Sequence, residues 1–379
     1  MRASWGKLGN DLSTAKNWED YQFQYLNTYT MDNGAILGEN PILYKGFYAG
    51  RIGNPTVTWE KVDTKNIALE GTLWNGLLGF NMEYFHQVRK DILAQRNASV
   101  PGYTGLTLPN ENLGKVKNQG FELSLSHLKH AGKDFNYNVG FNMTYTKNKI
   151  IYFDEAANVP EWQKRTGHPI DSWLIFKTDG IYKNWDEINS TPHFEGAKPG
   201  DIKYVDVDKN GSLTDNDKVR DYSSNIPEIV YGISLGATWK GFEFNMLWQG
   251  QGKATQIIVP YSYNYDVDLY ENRFISEEIT PNAKYPAAFT MGDSMNAKWS
   301  DFWLYNASFI RLKNMQIAYN LPEKVTSILG IQNLRVYLSG DNLLTFDHIK
   351  LQDPEATATT LGQYYPQQRT FTFGLNLSF

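Results

Sequence analysis

The stretch "VDVDKNGSLTDND", Val205 to Asp217, places oxygen-bearing side chains where the calcium loop of an EF-hand needs them. Asp206 and Asp208 stand at the first and third loop positions, Asn210 at the fifth, Gly211 at the bend, Leu213 at the eighth and Asp217 at the twelfth. The expected ligands of a calcium ion are Asp206, Asp208, Asn210, the carbonyl of Ser212, Thr214 directly or through water, and Asp217. Asp217 replaces the usual glutamate, so bidentate coordination is harder and the affinity lower. A solvated turn rich in Asp and Asn is the alternative reading of the same letters. An EF-hand also needs a helix on each side. Here "HFEGAKPGDIKY" precedes the loop and "SSNIPEIVYGISLGATW" follows it, with glycine, proline and a period-two apolar pattern that no amphipathic helix shows.

Other chemistry is sparse. Six histidines (His86, His127, His130, His168, His193, His348) lack HExxH spacing, and no nucleophile elbow or phosphate-binding glycine loop occurs. No catalytic role is expected. Cysteine is absent, which removes disulfides, thiolate metal sites and thiol nucleophiles. A net charge of −5 argues against a nucleic-acid partner. No apolar run reaches the roughly 18 residues of a membrane helix, and "MRASWGKLGN" has no apolar leader.

The elements that must carry the loop are strands. "FTFGLNLSF" alternates Phe371, Phe373, Leu375, Leu377 and Phe379 with Thr372, Gly374, Asn376 and Ser378. The same alternation predicts about ten strands, near residues 1–8, 59–73, 77–90, 115–129, 134–150, 228–239, 242–252, 307–320, 332–345 and 368–379. Read backward from the chain end, the connections are roughly 22, 12, 53, 2, 77, 4, 23, 3 and 49 residues. Long and short alternate. The short ones carry turn residues: Asn75-Gly76, Ala131-Gly132 and Lys240-Gly241. The segment "LPEKVTSILGIQ" has room for one helical turn. A water-soluble sandwich has no reason to sort its connections by edge, whereas a transmembrane barrel does. The expected fold is therefore all-β, an antiparallel transmembrane β-barrel with its polar faces toward the lumen. Trp74, Trp239, Trp248, Tyr84 and Tyr319 are expected near strand ends as an aromatic girdle.

Along the strands, "RASWGKLGN", "GNPTVTWEKVDTKNIALEGTLWNG", "LGKVKNQGFELSLS", "PGDIKYVDVDKNGSLTDND", "SFIRLKNMQIAYNLP", "RVYLSGDNLLTF", "DPE" at 353–355 and "YYPQQRTFTFGLNLSF" follow one another in family order. The chain resembles the C-terminal barrel part of the SusC/RagA family of TonB-dependent outer-membrane transporters of Bacteroidota. The resemblance implies a barrel of about 22 strands, of which residues 1–379 supply the last ten or so, without the plug, TonB box and earlier strands. It also implies import of glycan oligosaccharides or peptides, driven by the TonB complex through the plug, under a SusD-like surface lipoprotein lid. The alternating end with Phe379 is similar to the signal read by the barrel-assembly machinery. Residues 151–227 are then expected to be a long extracellular loop holding the calcium loop at 206–217. Trp162, Trp173, Trp185, Tyr261, Tyr263, Tyr265 and Tyr270 are candidates to face a sugar or the lid, or simply to pack the loops together. A self-contained ten-stranded pore or adhesin is the alternative.

Overall fold

The computed structural model describes residues 1–11, 23–31, 34–37, 42–50, 52–96, 108–260, 266–289, 295–356, 359, 361 and 363–379. Ten strands form one antiparallel sheet in strict chain order: β1 (Arg2–Asn10), β2 (Glu60–Leu73), β3 (Leu78–Gln95), β4 (Asn110–Ala131), β5 (Phe135–Tyr152), β6 (Ile229–Trp239), β7 (Phe242–Gly252), β8 (Phe309–Asn320), β9 (Asn333–Asp347) and β10 (Thr370–Ser378). All ten expected strands are present. Those flanking residues 96–109 run further than the alternation alone indicated.

Register sorts the side chains by face. Leu69, Met82, Leu123, Met143 and Tyr231 stand side by side across five strands, and Phe80, Leu125, Phe141, Ile233 and Trp248 form the next row. The opposite face carries rows such as Asn81, Ser124, Asn142 and Gly232, or Asn138, Gly236, Asn245, Gln316 and Ser339. A slip of one residue in any strand would put its apolar set among the amides, so the pattern fixes the register. Apolar side chains on the first face lie open, Phe371 at 72% and Phe373 at 69% exposure among them. Such a surface suits lipid and is a liability in water. No helix among the described residues is long and apolar enough to cross a membrane.

Short connections gather at one end of the sheet. Lys240 (φ 47°) and Gly241 (φ 89°) join β6 to β7 in the left-handed conformation that a two-residue hairpin demands. Between β8 and β9 the expected helical turn is present at Glu323–Thr326, followed by a 3-10 turn at Ser327–Leu329. Trp74, Trp239 and Tyr319 lie at this turn end, whereas Tyr84 lies in the turn-side half of β3, away from the strand end where the girdle was expected, level with Phe121 and Tyr145. Trp248 departs from the girdle expectation, because the pairing of Ile233 with both Phe141 and Trp248 sets it in the middle of the wall.

The hydrophobic core lies outside the wall's greasy face. It is built at the long-connection end, where Trp173, Ile175, Phe176, Ile202, Tyr204, Ile257, Ile258, Leu269, Trp303, Ile349 and Leu361 pack into one cluster. The three connections after β5, β7 and β9 thus share one core. Short strand pairs unforeseen from the sequence give it a frame: Ser172–Phe176 with Lys218–Ser224, Thr178–Ile181 with Ile202–Tyr204, and Thr255–Ile257 with Leu304–Asn306.

Candidate metal loop and its setting

Two of those short strands flank the acidic loop. Ile202–Tyr204 leads in, and the 3-10 turn Asp215–Asp217 followed by Lys218–Ser224 leads out. Strands stand where an EF-hand has helices, yet the loop closes on itself. Oxygens of Asp206, Asp208 and Asp217 lie within 4.8 Å of one another. Gly211 (φ 84°) makes the bend with a backbone that L side chains avoid, and its N–H donates to Asp206 Oδ2 at 2.8 Å. The Asn210 N–H donates to Asp208 Oδ1 at 3.1 Å, and the Ser212 N–H to Asn210 Oδ1 at 2.8 Å.

Asp217 is fully buried and closes the loop from its far end. Its Oδ1 accepts from the Val207 N–H at 2.8 Å and its Oδ2 from the Thr214 N–H at 2.7 Å, so its shorter side chain still reaches across the ring. Thr214 also caps the 3-10 turn: its hydroxyl accepts from the Asn216 N–H at 3.2 Å, which leaves a second lone pair.

Whether a cation fits can be judged from the charges. Burial and the neighbouring carboxylates of Asp206 and Asp217 push the Asp208 carboxyl above its usual range. Burial acts the same way on Asp206, but the Gly211, Lys209 and Asn210 N–H groups outweigh it and hold that carboxyl low. Like charges held this close favour a proton or a cation between them. Oxygen-only donors with no nitrogen or sulfur suit a hard divalent ion such as calcium. The residues fit.

The loop is anchored to the body. Leu213 enters the hydrophobic core, Trp162 donates its indole N–H to the Asn216 carbonyl at 2.8 Å, and Gln163 donates to the Asp215 carbonyl at 2.7 Å. Arg220 reaches back to the carbonyls of Gln163 and Ser172 at 2.9 and 3.0 Å. On the lead-in side, buried Asn296 accepts from the Ile202 N–H at 2.8 Å and donates to Asp201 at 2.7 Å, tying this connection to the one after β7. Trp162 and Trp173 therefore serve packing and anchoring, while Trp185 and Tyr270 stand exposed. Tyr261, Tyr263 and Tyr265 lie outside the described residues.

Sequence reasoning missed a second constellation. Arg311 on β8 is buried and grips Asp353 at 2.6 Å together with Glu355, so two of the quoted motifs, "SFIRLKNMQIAYNLP" and "DPE", meet in space. The available signal was a cation on the polar side of a strand, which needs a partner if buried.

Comparison with known proteins agrees with this architecture. Residues 12–343 match the family described as TonB dependent receptor-like, beta-barrel. TonB-dependent receptor P26 of Formosa agariphila is 27% identical over 413 residues, covering 100% of this chain and 40% of that protein. TonB-dependent receptor SusC of Bacteroides thetaiotaomicron is 23% identical over 399 residues, covering 100% of this chain and 37% of that protein. The chain thus spans about two fifths of the length of these relatives. The RagAB peptide importer in its "open-open" state superposes with a TM-score of 0.75 over 100% of this chain and 40% of that one, at 24% identity, a likeness of fold. A sheet with one lipid-compatible face, tight turns at one end and a packed body of long connections at the other places this chain in the TonB-dependent receptor β-barrel family of the outer membrane, as the C-terminal part of such a barrel.

Proposed function

We propose that the chain is the C-terminal wall of a SusC/RagA-type importer that takes up oligosaccharides or peptides across the outer membrane, with a SusD-like lipoprotein covering its long-connection end. The observation that carries this reading is the division of labour in the fold. A polar inner wall is capped by a body of connections with its own core, and that body exposes Trp185, Tyr222, Tyr270 and Tyr365 to whatever docks there. Flat aromatic faces suit sugar rings and a protein lid alike.

Energy for uptake comes, in this reading, from TonB acting through a plug, and assembly from the barrel machinery engaging β10 and Phe379. Calcium held by Asp206, Asp208, Asn210, the Ser212 carbonyl, Thr214 and Asp217 is a structural clip in the proposal. It fixes the strands on either side of the loop and so the docking surface, without acting as a sensor. A closed ten-stranded pore is disfavoured, since β1 and β10 do not pair with each other among the described residues.

The test is uptake by cells in which the gene carrying this chain is deleted and restored, using labelled glycan oligomers and labelled peptides, with and without TonB. TonB-dependent uptake of one class, lost on deletion, is expected. Unchanged uptake of both classes on deletion would overturn the assignment.

A further inference from the structure

The outward face of β1 to β5 changes character abruptly along its length. Between Phe135 and Tyr145 on β5 the face is apolar for about 11 residues, the number of tilted residues that crosses a bilayer core. Tyr84, Phe121 and Tyr145 form its last apolar row toward the long connections. The next row on the same face reads Trp5, Lys65, His86, Gln119, Lys147, and the one after it Lys7, Asp63, Val88, Lys117, Lys149. Lys90 and Lys115 follow. Basic residues thus begin where the apolar band stops, on the side that faces the membrane and not the lumen.

They enclose an open cleft of about 590 Å³ lined by Trp5, Lys7, Asp63, Lys65, His86, Val88, Lys90 and Lys115. Asp63 is the single carboxylate of that lining and is engaged by Lys90 at 3.0 Å. Lys7, Lys65 and Lys115 remain exposed, and the Lys7 ammonium lies 5.5 Å from the Trp5 ring centroid. A tryptophan at the edge of the band with ammonium groups just beyond it spans the boundary between acyl chains and headgroups.

We propose that this cleft binds the phosphorylated headgroup of a membrane lipid in the leaflet on the long-connection side. Charge selects the ligand: several ammonium groups around one already paired carboxylate call for an anion bearing more than one negative charge. Position selects its source, because the cleft continues the lipid-facing band at headgroup height. The inference rests on the membrane-barrel reading above and adds to it a lipid site with Lys7, Lys65 and Lys115, which form no ion pair among the described residues, as its cations and Trp5 as its apolar side.

The experiment places the full-length receptor in nanodiscs of phosphatidylcholine with and without phosphatidic acid, then measures retained lipid by native mass spectrometry. Each lysine near an anionic lipid is worth about five-fold in binding, so Lys7→Gln, Lys65→Gln and Lys115→Gln together should lower phosphatidic acid retention by about a hundred-fold. The corresponding triple arginine variant should keep it, and free inorganic phosphate should not displace it. Equal retention by wild type and the glutamine variant would overturn the site. So would an equal loss in a control with Lys183, Lys198 and Lys350 changed to Gln, since net charge alone would then suffice. Displacement by inorganic phosphate would assign the cleft to a soluble anion instead. Failure of wild type and variants alike to enter nanodiscs would refute the barrel reading itself, a result distinct from loss of lipid retention.

Discussion

Arg311 on β8 and Asp353 in the connection after β9 meet at 2.6 Å, with the guanidinium almost wholly buried and Glu355 completing its shell. The Arg311 Nε–H also donates to Thr345 Oγ1 at 2.9 Å, so the head group is held on several sides. This pair bolts the last long connection to the wall. Removing one partner of a buried pair strands the other charge and costs about 3–5 kcal/mol. Arg311→Ala should therefore release residues 348–356, seen as faster hydrogen exchange and cleavage there. Arg311→Lys should not rescue, because one ammonium cannot serve both carboxylates in the planar geometry of a guanidinium.

The wall's two faces should respond unequally to a new charge. Leu125 lies on the apolar face next to Phe80 and Phe141, and Ser124 lies on the polar face next to Asn81 and Asn142. Leu125→Arg should destabilise the receptor in bilayers by about 2–4 kcal/mol, the cost of an arginine on the lipid face near the midplane. Ser124→Arg should cost far less, as judged by denaturant titration in the same lipid.

The acidic loop makes a chelation experiment decisive for the metal proposal. With Asp206 and Asp217 both changed to Ala, protease cleavage within residues 205–224 should be fast with or without a chelator. Wild type should resist until calcium is removed. Because Asp208 has a raised pKa, protons compete for the site, and calcium affinity should fall as pH drops through a range above the ordinary aspartate value. Identical cleavage of wild type and double mutant in all conditions would leave the loop as a polar turn.

His168 supplies a second pH dependence. It is buried beside Tyr222, ring centroids 4.3 Å apart, and burial holds its pKa below the usual histidine value. The folded body prefers the neutral ring. Its contribution is fully present above the unfolded pKa of about 6.5 and is lost progressively as pH falls from there toward the lower folded value. Protection of residues 165–176 from hydrogen exchange should decline over that interval in wild type. His168→Gln should flatten the dependence.

The wall was legible because alternation, register and turn chemistry all repeat one instruction: Phe371 to Phe379 or Leu78 to Tyr84 admits only one face to lipid. The clustering of the acidic loop was legible because Asp206, Asp208 and Asp217 lie within a dozen residues of each other. What escaped were arrangements that join distant segments without periodicity. The short strand Ser172–Phe176 pairs with Lys218–Ser224 across the acidic loop, and Asn296 ties to Asp201 from another connection altogether. Arg311 finds Asp353 and Glu355 in the same manner. Trp173 illustrates the limit well, since nothing in its neighbours distinguishes a core tryptophan from a ligand-facing one, yet it is buried and bonded to Thr255 at 2.9 Å.

A barrel wall with its long connections outside the cell and its tight turns in the periplasm can be checked by cysteine labelling, since the chain has no cysteine of its own. Single cysteines placed at Glu195, Gly132 and Lys240 would be probed with a membrane-impermeant maleimide. Glu195→Cys should label in intact cells, while Gly132→Cys and Lys240→Cys should label only after the outer membrane is permeabilised. Labelling of the turn positions in intact cells, or of Glu195→Cys only after permeabilisation, would contradict this topology.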